Sequence, residues 1–263
     1  MSKYNHAFVV CAYKESRYLE ECVQSIVNQS VKTPVVISTS TPNDHIYGIA
    51  NKYGIEVIVN HGKGDMPDNF NFAIENVDAK YLTVAHQDDF FHKEYARVCM
   101  KYLEKSRKPL ICFTNYAEAR NGQIIDKNKL LTIKRILLAP LKCSIFRGSR
   151  FVRRRILSLG NPICCPSVTF ARDNITRPVY TDHFKCDIDW EAWEKISKLR
   201  GDFVYVRDIL TYHRIHEESG TSESIADNYR KDEDYEIFCK FWPKWIAKRL
   251  TKNYAKSEKS NEL

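Results

Sequence analysis

Over the first hundred or so residues two hydrophobic periods take turns, and that leaves few folds open. Residues 7–12 (AFVVCA) form a short unbroken apolar run; residues 16–29 then place Leu19, Cys22, Val23, Ile26 and Val27 at helical spacing. The strand signal returns at 34–37, 56–59, 81–85 and 110–113, with helical patterns at 44–53, 69–76 and 92–105 between most of these runs. A strand that is apolar on both sides must be covered on both sides. The alternation therefore predicts an α/β fold, with a mainly parallel sheet flanked by helices and reached by right-handed crossovers. At 263 residues the chain suffices for one such domain with a large elaboration.

In open α/β sheets ligands bind beyond the carboxyl ends of the strands, and one strand here ends on charge. The stretch VAHQDDFF sets Asp88 and Asp89 directly after the apolar run 81–85, with no Lys or Arg beside them in sequence. Adjacent carboxylates repel unless a cation joins them, and a divalent metal shared with a substrate diphosphate would do so. The ordinary alternative is that they cap a helix beginning near His92, because Asp is a common N-cap. Both readings stand on this stretch alone.

After residue 110 the pattern loosens. Residues 115–128 read as a hairpin around Asn121-Gly122, 130–141 as an amphipathic helix, and 163–170 as an extended segment interrupted by Pro166. DIDWEAW at 187–193 opens a helix, 202–206 gives one more strand, and YHRIHEES follows at 212–219. The nine cysteines are odd in number, scattered and without a C-x-x-C pair, so reduced buried thiols are expected rather than disulfides or zinc. The +8 charge is local: residues 147–155 hold five basic and no acidic residues, and 240–259 hold seven basic and one acidic. Such patches suit nucleic acid, anionic lipid or a phosphorylated substrate, or are solvated surface. No nucleic-acid motif accompanies them, so no nucleic-acid partner is expected. No apolar run is long enough to span a bilayer and the N-terminus has no secretory signal, which predicts a cytoplasmic protein.

Several of these stretches resemble family 2 glycosyltransferases of the GT-A fold, a Rossmann-like member of the nucleotide-diphospho-sugar transferase superfamily. VVCAYKESRYLEECVQSIVNQS is similar to the family's first strand, loop and helix. VVISTSTPND and DNFNFAIENVDAKYLTVAHQDD follow in the family's order, the latter ending on its D-x-D-like acidic motif. DIDWEAW resembles the acceptor-side acidic motif, and YHRIHEES the late R-x-H element. The chain departs from the family at Ser38-Thr39-Ser40-Thr41, where D-D-x-S is usual, and at His86, which replaces the first Asp of the acidic motif.

The resemblance implies transfer of a sugar from a nucleotide diphosphate sugar, a UDP-sugar first, to a hydroxyl of a glycan or lipid-linked glycan. The outcome would be inverting, metal-assisted by Mn²⁺ or Mg²⁺, and part of bacterial-type surface polysaccharide synthesis. It implies a donor-binding half at 1–110, an acceptor-side half with a helical elaboration at 111–239, and a basic, aromatic tail at 240–263. Its metal ligands would be Asp89, Asp88 and His216. Its catalytic base would be Asp189, with Asp187 in reserve, although either is also a helix-start residue. Ala12, Tyr13 and Glu15 would surround the nucleobase, Ser38 and Thr39 the base or ribose, and Asp68 and Asn69 the ribose or diphosphate, unless Asp68 is an N-cap. Gln87, Asp88 and Arg214 would complete the donor site. The altered positions also admit a non-catalytic nucleotide-sugar-binding or scaffold protein. In the tail, Phe241, Trp242, Trp245, Ile246 and Leu250 interleave with Lys244, Lys248, Arg249 and Lys252, a pattern suited to peripheral contact with the inner membrane face.

Overall fold

The computed structural model describes residues 2–216 and 229–258, with side chains to residue 255. Glu217, Glu218 and Ser219 of the late motif, and the end of the tail, lie outside the described residues. The first half alternates as the sequence predicts: β1 (Tyr4–Ala12), α1 (Leu19–Val27), β2 (Val35–Thr39), α2 (Asp44–Tyr53), β3 (Glu56–Val59), α3 (Met66–Asn76) and β4 (Ala79–His86). β3, β2, β1 and β4 lie side by side in that order, all parallel. The chain leaves β1 toward β2 and β3, then crosses back to place β4 on the other side. That reversal opens a crevice between the carboxyl ends of β1 and β4, where such sheets take ligands.

Beyond β4 the sheet becomes mixed. A short β5 (Phe90–Phe91) and α4 (Tyr95–Leu103) lead to β6 (Pro109–Arg120) and β7 (Gln123–Ile125). Asn121 and Gly122, both at positive φ, make the hairpin turn expected there. After α5 (Lys129–Leu137), α6 (Ser144–Arg147) and α7 (Arg150–Leu157), β8 (Val168–Ala171) inserts antiparallel between β4 and β6. A 3₁₀ turn containing Pro166 precedes it, so the expected extended segment is half turn, half strand. α8 (Ile188–Ser197), β9 (Asp202–Ile215), α9 (Arg230–Cys239) and α10 (Lys244–Glu258) complete the described elements.

One difference matters for the site. The sequence predicts a strand at 202–206 with a loop after it, whereas β9 runs on to Ile215, parallel to β6 across irregularities near Thr114 and Asn115. Thr114 and Thr211 share a buried hydrogen bond at 3.0 Å in this extension. A strand, not a loop, thus carries His213 and Arg214 to the crevice.

Two cores cover the sheet. One face packs Leu19, Cys22, Val23 and Ile26 of α1 with Ile46 and Ile49 of α2 and Tyr95 and Cys99 of α4. The other packs Phe70 and Ile74 of α3 with Trp190 and Trp193 of α8, Phe238 of α9 and Ala247 of α10. The basic run 147–155 is not simply surface, because the Arg153 side chain is fully buried. Its guanidinium lies 4.9 Å from the Phe203 ring and donates to the carbonyls of Ser197, Leu199, Gly201 and Arg147, closing the end of α8. Arg154 pairs with buried Glu194 at 2.5 Å. The tail is likewise partly core: Trp242 donates to the Ser158 carbonyl at 2.7 Å, and Tyr254 packs on Trp190 and Phe238.

Candidate active site

The crevice is laced across its mouth. Gln87, just past β4, accepts from the Tyr13 backbone N–H at 2.9 Å and donates to the Tyr13 carbonyl at 3.1 Å. The next residue, Lys14, sits at φ 54° and donates its backbone N–H to Thr41 Oγ1 at 2.6 Å. A non-glycine residue in the left-handed region needs such support. These bonds fix the turn after β1 against the ends of β4 and β2, and they leave the Tyr13 ring 47% exposed. Ala12 is buried beneath it and Glu15 is exposed. Ser38 and Thr39 are both buried, and the Thr39 hydroxyl accepts from the Thr41 N–H at 3.0 Å.

Beside β2 a polar cluster closes the adjoining loop. Asn60 donates to Asp68 and to Asn69, both at 2.8 Å; the Gly64 N–H donates to Asp68 at 2.9 Å; Asn69 donates to Ser40 at 3.0 Å. The Gly64 N–H and the Asn60 amide hold the Asp68 carboxyl below the usual carboxylate range. A Cβ on Gly62 would come within 2.7 Å of the Asp68 carboxylate, so a larger residue there would push that side chain off its bonds to Asn60 and Gly64. Asp68 is not the helix cap; Asp65 is, accepting from the Asp68 N–H at 2.9 Å.

Asp88 and Asp89 part company, as neighbours on a turn do. Neither caps α4, whose N-cap position is Glu94. Asp89 turns inward and is 1% exposed. It accepts from His213 Nδ1 at 3.0 Å and from the Arg214 N–H at 2.8 Å, with His86 Nδ1 at 3.8 Å. Burial alone would raise its carboxyl, but His213, His86 and the Arg214 N–H outweigh that and hold it below its ordinary value. Reciprocally, burial would lower His213, yet the Asp89 charge raises it. Asp88 faces outward, accepting from Ser16 Oγ at 3.0 Å, with His216 Nε2 3.5 Å away. Arg214 locks this turn: Nε donates to the Asp88 carbonyl at 2.9 Å, one terminal nitrogen to Glu21 at 2.5 Å, and the guanidinium lies 4.3 Å from the Tyr18 ring.

Opposite stands Asp189, in the first turn of α8 and half-buried. It accepts from Asn161 Nδ2 at 2.9 Å and from the Trp190 N–H at 2.7 Å; burial raises its carboxyl, and these bonds only partly offset the rise. Asp187 instead is buried against Asp234 of α9, where burial and that second carboxyl push it well up. His86, at the end of β4, feels the charges of Asp89 and Asp88 and also that of Asp189 from the distant second acidic motif. Sequence reasoning passed over His213, Asn161 and Lys134. Lys134 of α5 donates to Tyr116 Oη at 2.9 Å, and its charge acts on both Asp189 and His213. It lies one helical turn from buried Leu131, and a cation on the buried side of an amphipathic helix was the signal available.

Among the described residues no three His, Cys, Asp or Glu side chains gather into a metal cage. Asp88 Oδ2 and His216 Nε2, 3.5 Å apart, are an oxygen and a nitrogen that could together offer Mn²⁺ or Mg²⁺ two protein ligands, with substrate phosphates and water for the remaining positions.

A family model described as Glycosyl transferase family 2 matches residues 7–178. An uncharacterized glycosyltransferase of Haemophilus influenzae is 22% identical over 246 residues, covering 86% of this chain and 69% of that protein. The mannosyltransferase PcManGT from Pyrobaculum calidifontis, solved with GDP-Man and Mn²⁺, superposes with a TM-score of 0.65 at 11% identity, over 98% of this chain and 76% of that one. S. aureus TarS gives a TM-score of 0.63 at 13% identity, over 97% of this chain and 72% of that one; it has also been solved in complex with UDP-GlcNAc. These likenesses establish a GT-A type fold.

Proposed function

The chain belongs to glycosyl transferase family 2 and is a glycosyltransferase, and we propose that it moves a sugar from a nucleotide diphosphate sugar onto an acceptor hydroxyl by single, inverting displacement. The observation that carries this reading is the Asp88–His216 pair, 3.5 Å apart, next to His86, on which the charge of the half-buried Asp189 carboxyl also acts. The donor lies over the ends of β1 and β2, its base beside the exposed Tyr13 ring and its ribose near the Asn60–Asp68–Asn69 cluster. Asp88 and His216 would hold Mn²⁺ or Mg²⁺, which supplies Lewis-acid stabilisation of the departing diphosphate. Asp89 is assigned a positioning role because its Oδ1 holds both His213 and the Arg214 N–H, although its buried Oδ2 has no hydrogen-bond partner among the described residues; Arg214 is a positioning residue likewise.

Asp189 accepts the proton of the acceptor hydroxyl as the new C–O bond forms at the anomeric carbon and the bond to the diphosphate breaks. Burial makes this carboxylate a stronger base than an exposed one, and each of its oxygens keeps a free lone pair after bonding Asn161 and Trp190. Asp187, turned toward Asp234, has no part in the proton transfer. Lys134, whose charge acts on both Asp189 and His213, brings positive charge to the site, where negative charge gathers on the leaving group. The acceptor is a glycan or lipid-linked glycan of the kind used in bacterial surface polysaccharides, and the reaction runs in the cytoplasm. The test is a panel of UDP- and GDP-sugars scored by thermal stabilisation with and without Mn²⁺, since a bound ligand raises apparent stability. One donor should stabilise the protein only when Mn²⁺ is present; no stabilisation by any donor would sink the reading.

A further inference from the structure

We propose that the outer face of α5, α6 and α7, continued by the start of α10, docks this enzyme on an anionic membrane surface. Between Asp126 and Asp173 the chain has no acidic residue, and from Lys127 to Arg155 it carries ten basic ones. Of those, Lys134 turns to Tyr116, Arg153 to the end of α8 and Arg154 to buried Glu194. Lys127, Lys129, Lys142, Arg150 and Arg155 remain exposed. Among them stand large apolar side chains that the described residues leave exposed: Ile133, Ile136, Ile145, Phe146, Phe151 and Leu159, with Ile145 76% and Phe151 72% exposed.

This is one surface rather than scattered residues. A groove of about 320 Å³ joins α5 to the turn after it, lined by Lys127, Arg135, Ile136 and Lys142 among others. Further along, the Arg155 guanidinium spans the Phe151 ring at 5.6 Å and the Trp242 ring at 4.6 Å. Trp242 in turn fastens the start of α10 to the end of α7, and Trp245 beyond it is 73% exposed. The tail alone is therefore not the membrane element its composition suggests. Phe241, Trp242 and Leu250 are spent on the core, and the larger lipid-facing area comes from residues 127–159.

Exposed aliphatic and aromatic side chains interleaved with cations, in a stretch with no acidic residue of its own and Asp202 the carboxylate set against it at Gly148, match the interface of an anionic bilayer, where apolar groups enter the headgroup boundary and each cation adds attraction. A protein partner would need a matching acidic apolar surface, and a second copy would bring like charge against like. The placement also suits the site. α5 turns Lys134 inward to Tyr116, where its charge acts on Asp189, and Ile133 and Ile136 outward, so the helix that would meet the membrane also faces the site. The docking face stands independently of which donor or acceptor is used.

The experiment is cosedimentation of the full chain with vesicles of phosphatidylcholine alone and of phosphatidylcholine mixed with phosphatidylglycerol, with tryptophan emission followed in parallel. The protein should pellet with the mixed vesicles only, and its emission should shift to the blue as Trp245 enters the headgroups. A Lys127→Glu, Lys142→Glu, Arg150→Glu triple variant should partition at least about a hundredfold more weakly, while a Phe151→Ser, Ile136→Ser double variant should lose the blue shift. Rising salt should release the unmodified protein, a reading that needs no variant to fold. Equal recovery on both vesicle types, recovery on neither, or binding indifferent to salt would overturn the proposal. So would a dimer in solution that the double variant dissociates, because a second copy would then own the face.

Discussion

Replacing Asp89 by Asn separates a structural clamp from a metal ligand, because the two roles fail differently. Asn keeps the shape and one carbonyl oxygen, so it can still accept from the Arg214 N–H, but it carries no charge to hold the imidazolium of His213 3.0 Å away. Losing one charge-assisted hydrogen bond at a position 1% exposed costs about 1.5–3 kcal/mol, a large share of a typical stability of about 5–15 kcal/mol. The pH dependence follows from the two shifts. Asp89 is held below its ordinary 3.8, so its contribution is present above that value and is lost as pH falls through the depressed folded value. His213 is held above its ordinary 6.5, so its contribution is full below 6.5 and is lost as pH rises through the raised folded value. The gap between wild type and Asp89→Asn in urea unfolding should therefore be widest at mildly acid pH and should narrow in alkali. Mn²⁺-dependent nucleotide affinity should survive within a few fold. Unchanged stability at mildly acid pH, together with loss of that affinity, would refute the clamp and return Asp89 to the metal.

Asp88→Asn should do the reverse, with calorimetry showing nucleotide affinity in Mn²⁺ fall at least about tenfold toward the metal-free value while urea stability barely changes. Lys134→Met should move the acid limb of the pH–rate profile upward, because the Lys134 charge lowers the Asp189 carboxyl and its removal lets that carboxyl rise; an unmoved limb would take Lys134 out of the crevice. Arg153→Met should destabilise the fold by about 3–5 kcal/mol, read as a lowered unfolding midpoint, because the carbonyls closing α8 would be left buried without a donor.

The sequence disclosed the donor half well, because its strands are apolar on both faces and its helices on one, a pattern set by local burial. Asp88, Asp89 and Asp189 were legible as carboxylates at element ends. Their division of labour was not, since adjacent residues on a turn point opposite ways and only the partners reveal which way. Neither was the reach of β9: its second half has no regular alternation, and its pairing with β6 joins segments nearly a hundred residues apart, as Ala119 with Arg214. Arg153 read as surface because its neighbours Arg150 and Arg155 are surface; three consecutive arginines on a helix necessarily face three ways. The tail's tryptophans read as a pair, yet Trp242 is held by Ser158 while Trp245 is free of the core.

Transfer by Asp189→Asn, measured as nucleoside diphosphate release with the donor found in the panel and compared with donor affinity on the same sample, tests the central claim most directly. The base assigned to Asp189 requires release to fall about 10²–10⁴-fold while donor affinity stays at the wild-type value. Release at the wild-type rate, or a loss of turnover fully explained by lost donor binding, would contradict it.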